Sequence, residues 1–265
     1  MQPVNGNLEA WNRRLEYHLV SDFYGMDAFL KGKNSIPEID LALLGDVNGL
    51  DALHLQCHFG QDSLSLARMG ARVSGVDFSQ PAIDKARQLA EQLGLPAQFH
   101  CCDVRDTLQH IDSGSFDLVY TSYGTIGWLP ELESWASVLA AALKPGGRLV
   151  FVEFHPVLWM FDNDLSNIRY AYHNDGPIIE EESGTYADPE APITTTTTTW
   201  NHSLSEVIGA LLGAGMELQQ FQEYNYSPYA IFKDMLENQP GRYQIESYQG
   251  RLPMVYALGA RKKAN

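Results

Sequence analysis

Between residues 51 and 154 the chain alternates short apolar runs with longer stretches in which apolar residues recur every three or four positions. Parallel strands need a crossover of about a dozen residues or more between them, so this rhythm predicts a parallel sheet with helical crossovers. Strands are read at 51–56, 72–77, 98–102, 116–121 and 148–154. The helix at 61–69 carries Leu64, Leu66 and Ala67 ahead of Gly70. In the next helix Ser79 is the cap, Pro81 fits the first turn, Ile83, Ala86, Leu89 and Leu93 belong to the buried stripe, and Gly94 ends it. A third helix at 132–143 is closed by Lys144, Pro145, Gly146 and Gly147.

The rhythm breaks after the fifth strand. Residues 156–200 hold acids at Glu180, Glu181 and Glu182 and six threonines at 194–199, which propensity reads as an exposed strand. Ser203 then caps a helix with Glu206 as its reciprocal partner, and closing strands are expected at 218–224 and 254–260. The first 45 residues carry Trp11, Phe23, Tyr24 and Phe29 without strand alternation and are taken as a helical cap. The expected organisation is a cap over 1–45 and a main domain over 46–265, with a lid-like insertion at 156–200.

Apolar residues at 45% and charged residues at 19% of 265 fit a soluble globular chain with a full core and exclude disordered and coiled-coil classes. Eighteen Lys and Arg against 33 Asp and Glu leave −15, a field that repels phosphate backbones and anionic lipid. Neither nucleic acid nor a membrane is expected as a partner. No apolar run approaches the roughly 20 residues of a membrane span, and the opening six residues lack the pattern of a signal peptide. Three cysteines, Cys57, Cys101 and Cys102, make no disulfide framework, and a cytoplasmic address is expected.

Ligands of an open parallel sheet bind outside the carboxyl ends of its strands, where the informative residues of this chain cluster. The first strand runs into Gln56, Cys57, His58, Phe59 and Gly60 before its helix, a turn whose N–H groups face a polar ligand. The second stops at Asp77 and the third at Asp103. Two neighbouring acids repel a pyrophosphate and suit a neutral or cationic nucleoside.

These residues resemble the class I S-adenosylmethionine-dependent methyltransferases, closely over 51–154 and more loosely elsewhere. Four blocks match in order and spacing: Leu53-His-Leu-Gln-Cys-His-Phe-Gly60, Val76-Asp77-Phe78-Ser79, Cys102-Asp103-Val104 and Leu143-Lys-Pro-Gly-Gly147. The resemblance implies an α/β, Rossmann-like, mostly parallel seven-stranded sheet with the last strand antiparallel and helices on both faces. It also implies S-adenosylmethionine as cofactor. Asp77 then bonds the ribose hydroxyls, Asp103 the adenine amino group and the Val104 N–H the adenine ring, while Phe78 packs on adenine. Gln56, His58, Gly60 and Thr121 are placed on the same cofactor wall. The family usually has an acid two positions before the first glycine, and glycines where Gln56 and His58 stand; here His54 takes the acidic place. The cofactor ammonium then falls to backbone carbonyls, to the Gln56 amide or to a residue of the cap. Tyr24 is the candidate, because related enzymes often lay an amino-terminal tyrosine over the methionine tail. The strings at 55–60, 122–130 and 153–156 look like a bacterial subgroup acting on small molecules.

Methyl transfer from a sulfonium is an in-line displacement, which asks the protein to hold donor and acceptor within about 3 to 3.5 Å. His155, at the end of the fifth strand, is the expected general base, the other reading being a histidine bonded to the next loop. Tyr123, His155, Trp200 and His202 are expected to touch a small, partly apolar acceptor. His54, Cys57, His58, His100, Cys101 and Cys102 gather near strand ends, but alternation across two sheet faces keeps them from a tetrahedral site, and no metal is expected. The departures at His54, Gln56 and His58 also motivate a non-catalytic protein that binds S-adenosylmethionine or S-adenosylhomocysteine. An NAD-dependent oxidoreductase is disfavoured by the missing Gly-x-Gly-x-x-Gly.

Overall fold

The computed structural model describes residues 2–162 and 164–264; Met1 and Asn265, the outer ends of the two expected segments, lie outside them. Three helices come first, α1 (Gln2–Val20), α2 (Met26–Leu30) and α3 (Glu38–Leu44). The expected alternation follows: β1 (Asp51–Leu55), α4 (Gln61–Arg68), β2 (Arg72–Asp77), α5 (Gln80–Leu93), β3 (Ala97–Cys101), β4 (Phe116–Ser122), α6 (Glu133–Ala142) and β5 (Leu143–Phe154). A hairpin of β6 (Ile178–Ser183) and β7 (Thr194–Thr199) precedes α7 (Leu204–Gly213) and β8 (Met216–Tyr224). A second hairpin, β9 (Met235–Gln239) and β10 (Arg242–Ile245), leads to β11 (Val255–Lys262).

Seven strands form one sheet in the order β3-β2-β1-β4-β5-β11-β8. The first five in chain order pair in parallel, and β11 runs antiparallel to both of its neighbours, β5 and β8. The order reverses between β1 and β4, which opens a crevice at their carboxyl ends. Alternation along each strand feeds two cores. Leu53, Leu55 and Phe151 pack with Trp135 and Leu139 of α6 on one face, and Ala52, Leu118 and Val150 with Ile39 and Leu66 on the other. Each such large apolar side chain contributes about 1.5 to 3 kcal/mol by burial. Ile83, Ala86 and Leu89 of α5 pack with Phe29, Phe59 and Phe99, joining the amino-terminal helices to the sheet.

Local signals account for most element ends. Ser79 Oγ accepts from Ala82 N–H at 3.3 Å, and Gly94 adopts the left-handed conformation that stops α5. Ser203 caps α7, but the Glu206 carboxylate accepts from His202 Nδ1 at 2.8 Å instead of returning to the cap amide. The fifth strand starts at Leu143, earlier than its apolar run, because Leu143 pairs with Phe116 ahead of a register shift. A Cβ at Gly147 would stand 2.9 Å from the Lys144 carbonyl oxygen and 3.0 Å from that of Phe116, so the backbone passes there only with glycine. The threonine run is a strand, yet Thr195 and Thr197 are buried at 3% and 4% exposure, because α1 lies across it. Among the described residues no helix is long and apolar enough to cross a membrane.

Candidate functional site

A cavity of about 1380 Å³ occupies the carboxyl ends of β1, β2, β4 and β5. Its floor is the turn between β1 and α4. Gln56 and His58 hold left-handed backbone there, with φ of 55° and 51°. Two bonds fix the turn: Gln56 Nε2 donates to the Thr125 carbonyl at 2.7 Å, and His58 N–H donates to Asp77 Oδ2 at 2.9 Å. Gly60 ends it at φ 77°, where a Cβ would lie 2.8 Å from Ala86 Cβ and from the Phe99 ring. Gln56 Oε1 and His58 Nδ1 are buried with no hydrogen-bond partner among the described residues.

The two strand-end acids stand on one wall. Asp77 is 7% exposed; burial pushes its carboxyl up to about 6, against the pull of its bonds from the N–H groups of Ser79, His58 and Phe78. Asp103 caps the turn that follows β3 and is gripped by Arg105 Nε at 2.8 Å and Nη2 at 2.6 Å. Burial lifts the Asp103 carboxyl, but the Arg105 bonds outweigh it and hold the group below its ordinary value. Phe78 and Val104 line the cavity beside them.

The amino-terminal helices and the β6–β7 hairpin cover the turn. Tyr24 stacks on His58 at 5.6 Å and an interplanar angle of 15°, and its hydroxyl bonds that of Tyr186 from the hairpin. Trp11 meets both His58 and Trp128 edge-on at 5.3 Å. His18 Nδ1 faces His58 Nε2 at 3.4 Å; burial, with Arg14 nearby, lowers the His18 pKa to about 3, and burial likewise drives His58 well below its ordinary value. Neutral rings therefore shield the turn near pH 7.

Of the residues expected on the cofactor side, Tyr24, Gln56, His58, Asp77, Phe78, Asp103 and Val104 line the cavity, and Gly60 and Thr121 do not. Gly60 is buried behind the turn by Ala86 and Phe99. Thr121 is fully buried in register with Phe151, because β4 continues to Ser122 and alternation turns Thr121 into the sheet; Ser122 and Tyr123 reach the cavity instead. Tyr123, Trp200 and His202 line it as well. His202 is held at both nitrogens, by Glu206 at 2.8 Å and by the Leu129 carbonyl at 2.8 Å. His155, the expected base, is not among the residues that line the cavity. It is buried outside the cavity wall, Nδ1 accepts from Val157 N–H at 3.2 Å, and Nε2 therefore donates to Glu223 of β8 at 2.8 Å. Burial lowers its pKa, with Glu223 opposing.

Sequence reasoning gave no role to Glu153, Asp40 or Tyr186. Glu153, lining the cavity at the end of β5, accepts from the N–H groups of Thr125 and Phe154 at 2.8 Å and from that of Gly124. It thereby shapes the loop after β4; its signal was a single acid inside an otherwise apolar run. Asp40 is fully buried and accepts from the Tyr120 and Tyr123 hydroxyls at 2.7 Å each. Among the described residues no group of three or more His, Cys, Asp or Glu is arranged to hold a metal.

A family model described as a methyltransferase domain matches residues 52–147. The ubiquinone biosynthesis O-methyltransferase of Coxiella burnetii is 34% identical over 154 residues, 57% of this chain and 64% of that protein. The chain thus spans less than two thirds of that relative's length. Among solved structures, an S-adenosylmethionine-dependent methyltransferase from Mesorhizobium loti has a TM-score of 0.59 at 20% identity, covering 88% of this chain and 100% of that one. The geranyl diphosphate C-methyltransferase of Streptomyces coelicolor, solved with S-adenosyl-L-homocysteine, has a TM-score of 0.58 at 18% identity over 85% of this chain and 74% of that one. The matched domain spans the strands that carry Asp77 and Asp103 to the cavity, and over residues 52–147 the chain is similar to methyltransferase domains.

Proposed function

We propose that the protein transfers a methyl group from S-adenosylmethionine to a small-molecule acceptor. The observation that carries this reading is the presence, on one cavity, of Asp77 and Asp103 at consecutive strand ends and of a β1 turn with a buried, unbonded Gln56 Oε1. The residues fit the cofactor: carboxylates suit ribose hydroxyls and an amino group, Phe78 offers a flat face, and Gln56 Oε1 is an acceptor left open for an ammonium. When bound, the cofactor supplies an electrophilic methyl on a sulfonium. The chain's own part is positioning, which accounts for about 7 to 11 kcal/mol of such a barrier. In this reading Tyr123 and Trp200 contact the acceptor, and segment 156–200, through Tyr186, acts as a lid that keeps water from the turn. The similarity to the Coxiella burnetii O-methyltransferase favours oxygen as the methylated atom. Three free thiols, Cys57, Cys101 and Cys102, fit a reducing cytoplasm.

Isothermal titration with S-adenosylhomocysteine tests the reading. Asp77→Ala is expected to weaken binding roughly 10- to 150-fold, the loss of charge-assisted hydrogen bonds. Unchanged affinity would remove Asp77 from the ribose. Binding by the wild type with no turnover across a panel of phenols and alcohols would favour the non-catalytic alternative.

A further inference from the structure

His54 stands where an acid is usual, and it does not replace one. Burial lowers its pKa to about 3, and its Nδ1 is paired with Ser63 Oγ at 2.8 Å, so the ring is neutral and engaged near pH 7. Next to Ser63, in the first turn of α4, Asp62 lines the cavity. Ser35 Oγ donates to its Oδ1 at 2.5 Å; among the described residues no donor reaches the second oxygen, and no Lys, Arg or His stands within ion-pair distance. Burial lifts its pKa. Its neighbour Gln61 donates to the Tyr24 carbonyl at 2.7 Å, which ties this turn to the segment lying over His58. Asp40 is no substitute, since it lies behind Tyr120 and Tyr123 and does not line the cavity. A half-buried carboxylate that faces the cavity without a counter-ion attracts a cation entering there.

We infer that Asp62 supplies the charge that His54 lacks and, with Gln56 Oε1, holds the α-ammonium of the cofactor. The inference rests on the S-adenosylmethionine reading. It makes Asp62 specific for the amino-acid end of the ligand, and indifferent to the nucleoside.

Titration calorimetry of the full chain and of Asp62→Asn, with S-adenosylhomocysteine and with 5′-methylthioadenosine, separates the two ends. The second compound keeps the nucleoside and sulfur and lacks the amino-acid end. Asn keeps an acceptor for Ser35 and removes the charge. The expected result is about a tenfold or greater loss for S-adenosylhomocysteine with 5′-methylthioadenosine unchanged within about twofold. Equal losses for both compounds, which a merely structural role gives, or no loss for either, overturn the assignment. A wild type that binds neither compound overturns the cofactor reading, and Asp62 with it.

Discussion

Gln56 and His58 carry side chains on left-handed backbone, a conformation that costs a non-glycine residue about 1 to 2 kcal/mol. The turn persists because the Gln56 amide and the His58 N–H are bonded to Thr125 and Asp77, so the strain is offset at the wall where the ligand is proposed to lie. Asp40 shows another residue-scale tension. Its burial, only partly opposed by Tyr123 and Tyr120, raises the carboxyl from 3.8 to about 7. The folded chain therefore holds this proton more tightly than the unfolded chain. The resulting stability is fully present below about pH 4 and is lost as pH rises through about 7. A gap of that size corresponds to roughly 4 kcal/mol at most. Asp40→Asn, uncharged throughout, is expected to gain on the wild type by about 2 to 4 kcal/mol between pH 4 and 8 in urea denaturation. A stability difference that stays flat with pH would contradict the buried proton. Asp77 and Asp103 were legible in the sequence because a strand end is a local feature. The orientation of His155 was not, since it is set by Glu223, 68 positions away.

At the scale of elements, the docking of α1 on the threonine strand is the least local event in the fold. Asn7 exchanges hydrogen bonds with the Thr198 backbone at 2.7 and 2.8 Å across 191 positions. Arg14 bonds Glu182 at 2.7 Å and Thr195 Oγ1 at 3.0 Å. Composition and periodicity give the helix and the strand separately and say nothing of their meeting, which is why the strand was expected to be exposed. From β1 to β5, by contrast, each crossover packs against the strands beside it in sequence, and the alternation alone places them. Arg14→Ala is expected to cost about 1 to 2 kcal/mol and to speed hydrogen exchange in β6 and β7 while leaving β1 to β5 protected. Uniform exchange changes across the sheet would place the contact in the global core instead.

Across the whole molecule, charge and topology act together. Net charge of −15 discourages polyanions, and the few cations at the cavity are partly spent internally, Arg14 on Glu182 and Arg105 on Asp103. The antiparallel strand has a further consequence. β11 sits between β5 and β8, yet it is the last strand of the sheet to be synthesised. Until its eight residues are available, β5 presents a row of unsatisfied N–H and C=O groups and β8 has no sheet to join. A chain stopped at residue 254 is expected to aggregate, seen as light scattering and as loss of the cooperative melt, even though every residue that lines the cavity except Tyr256 is still present. For a nascent chain emerging from the ribosome, the parallel half can collapse early. The keystone that locks the two halves into one sheet arrives only after every strand it joins has been made.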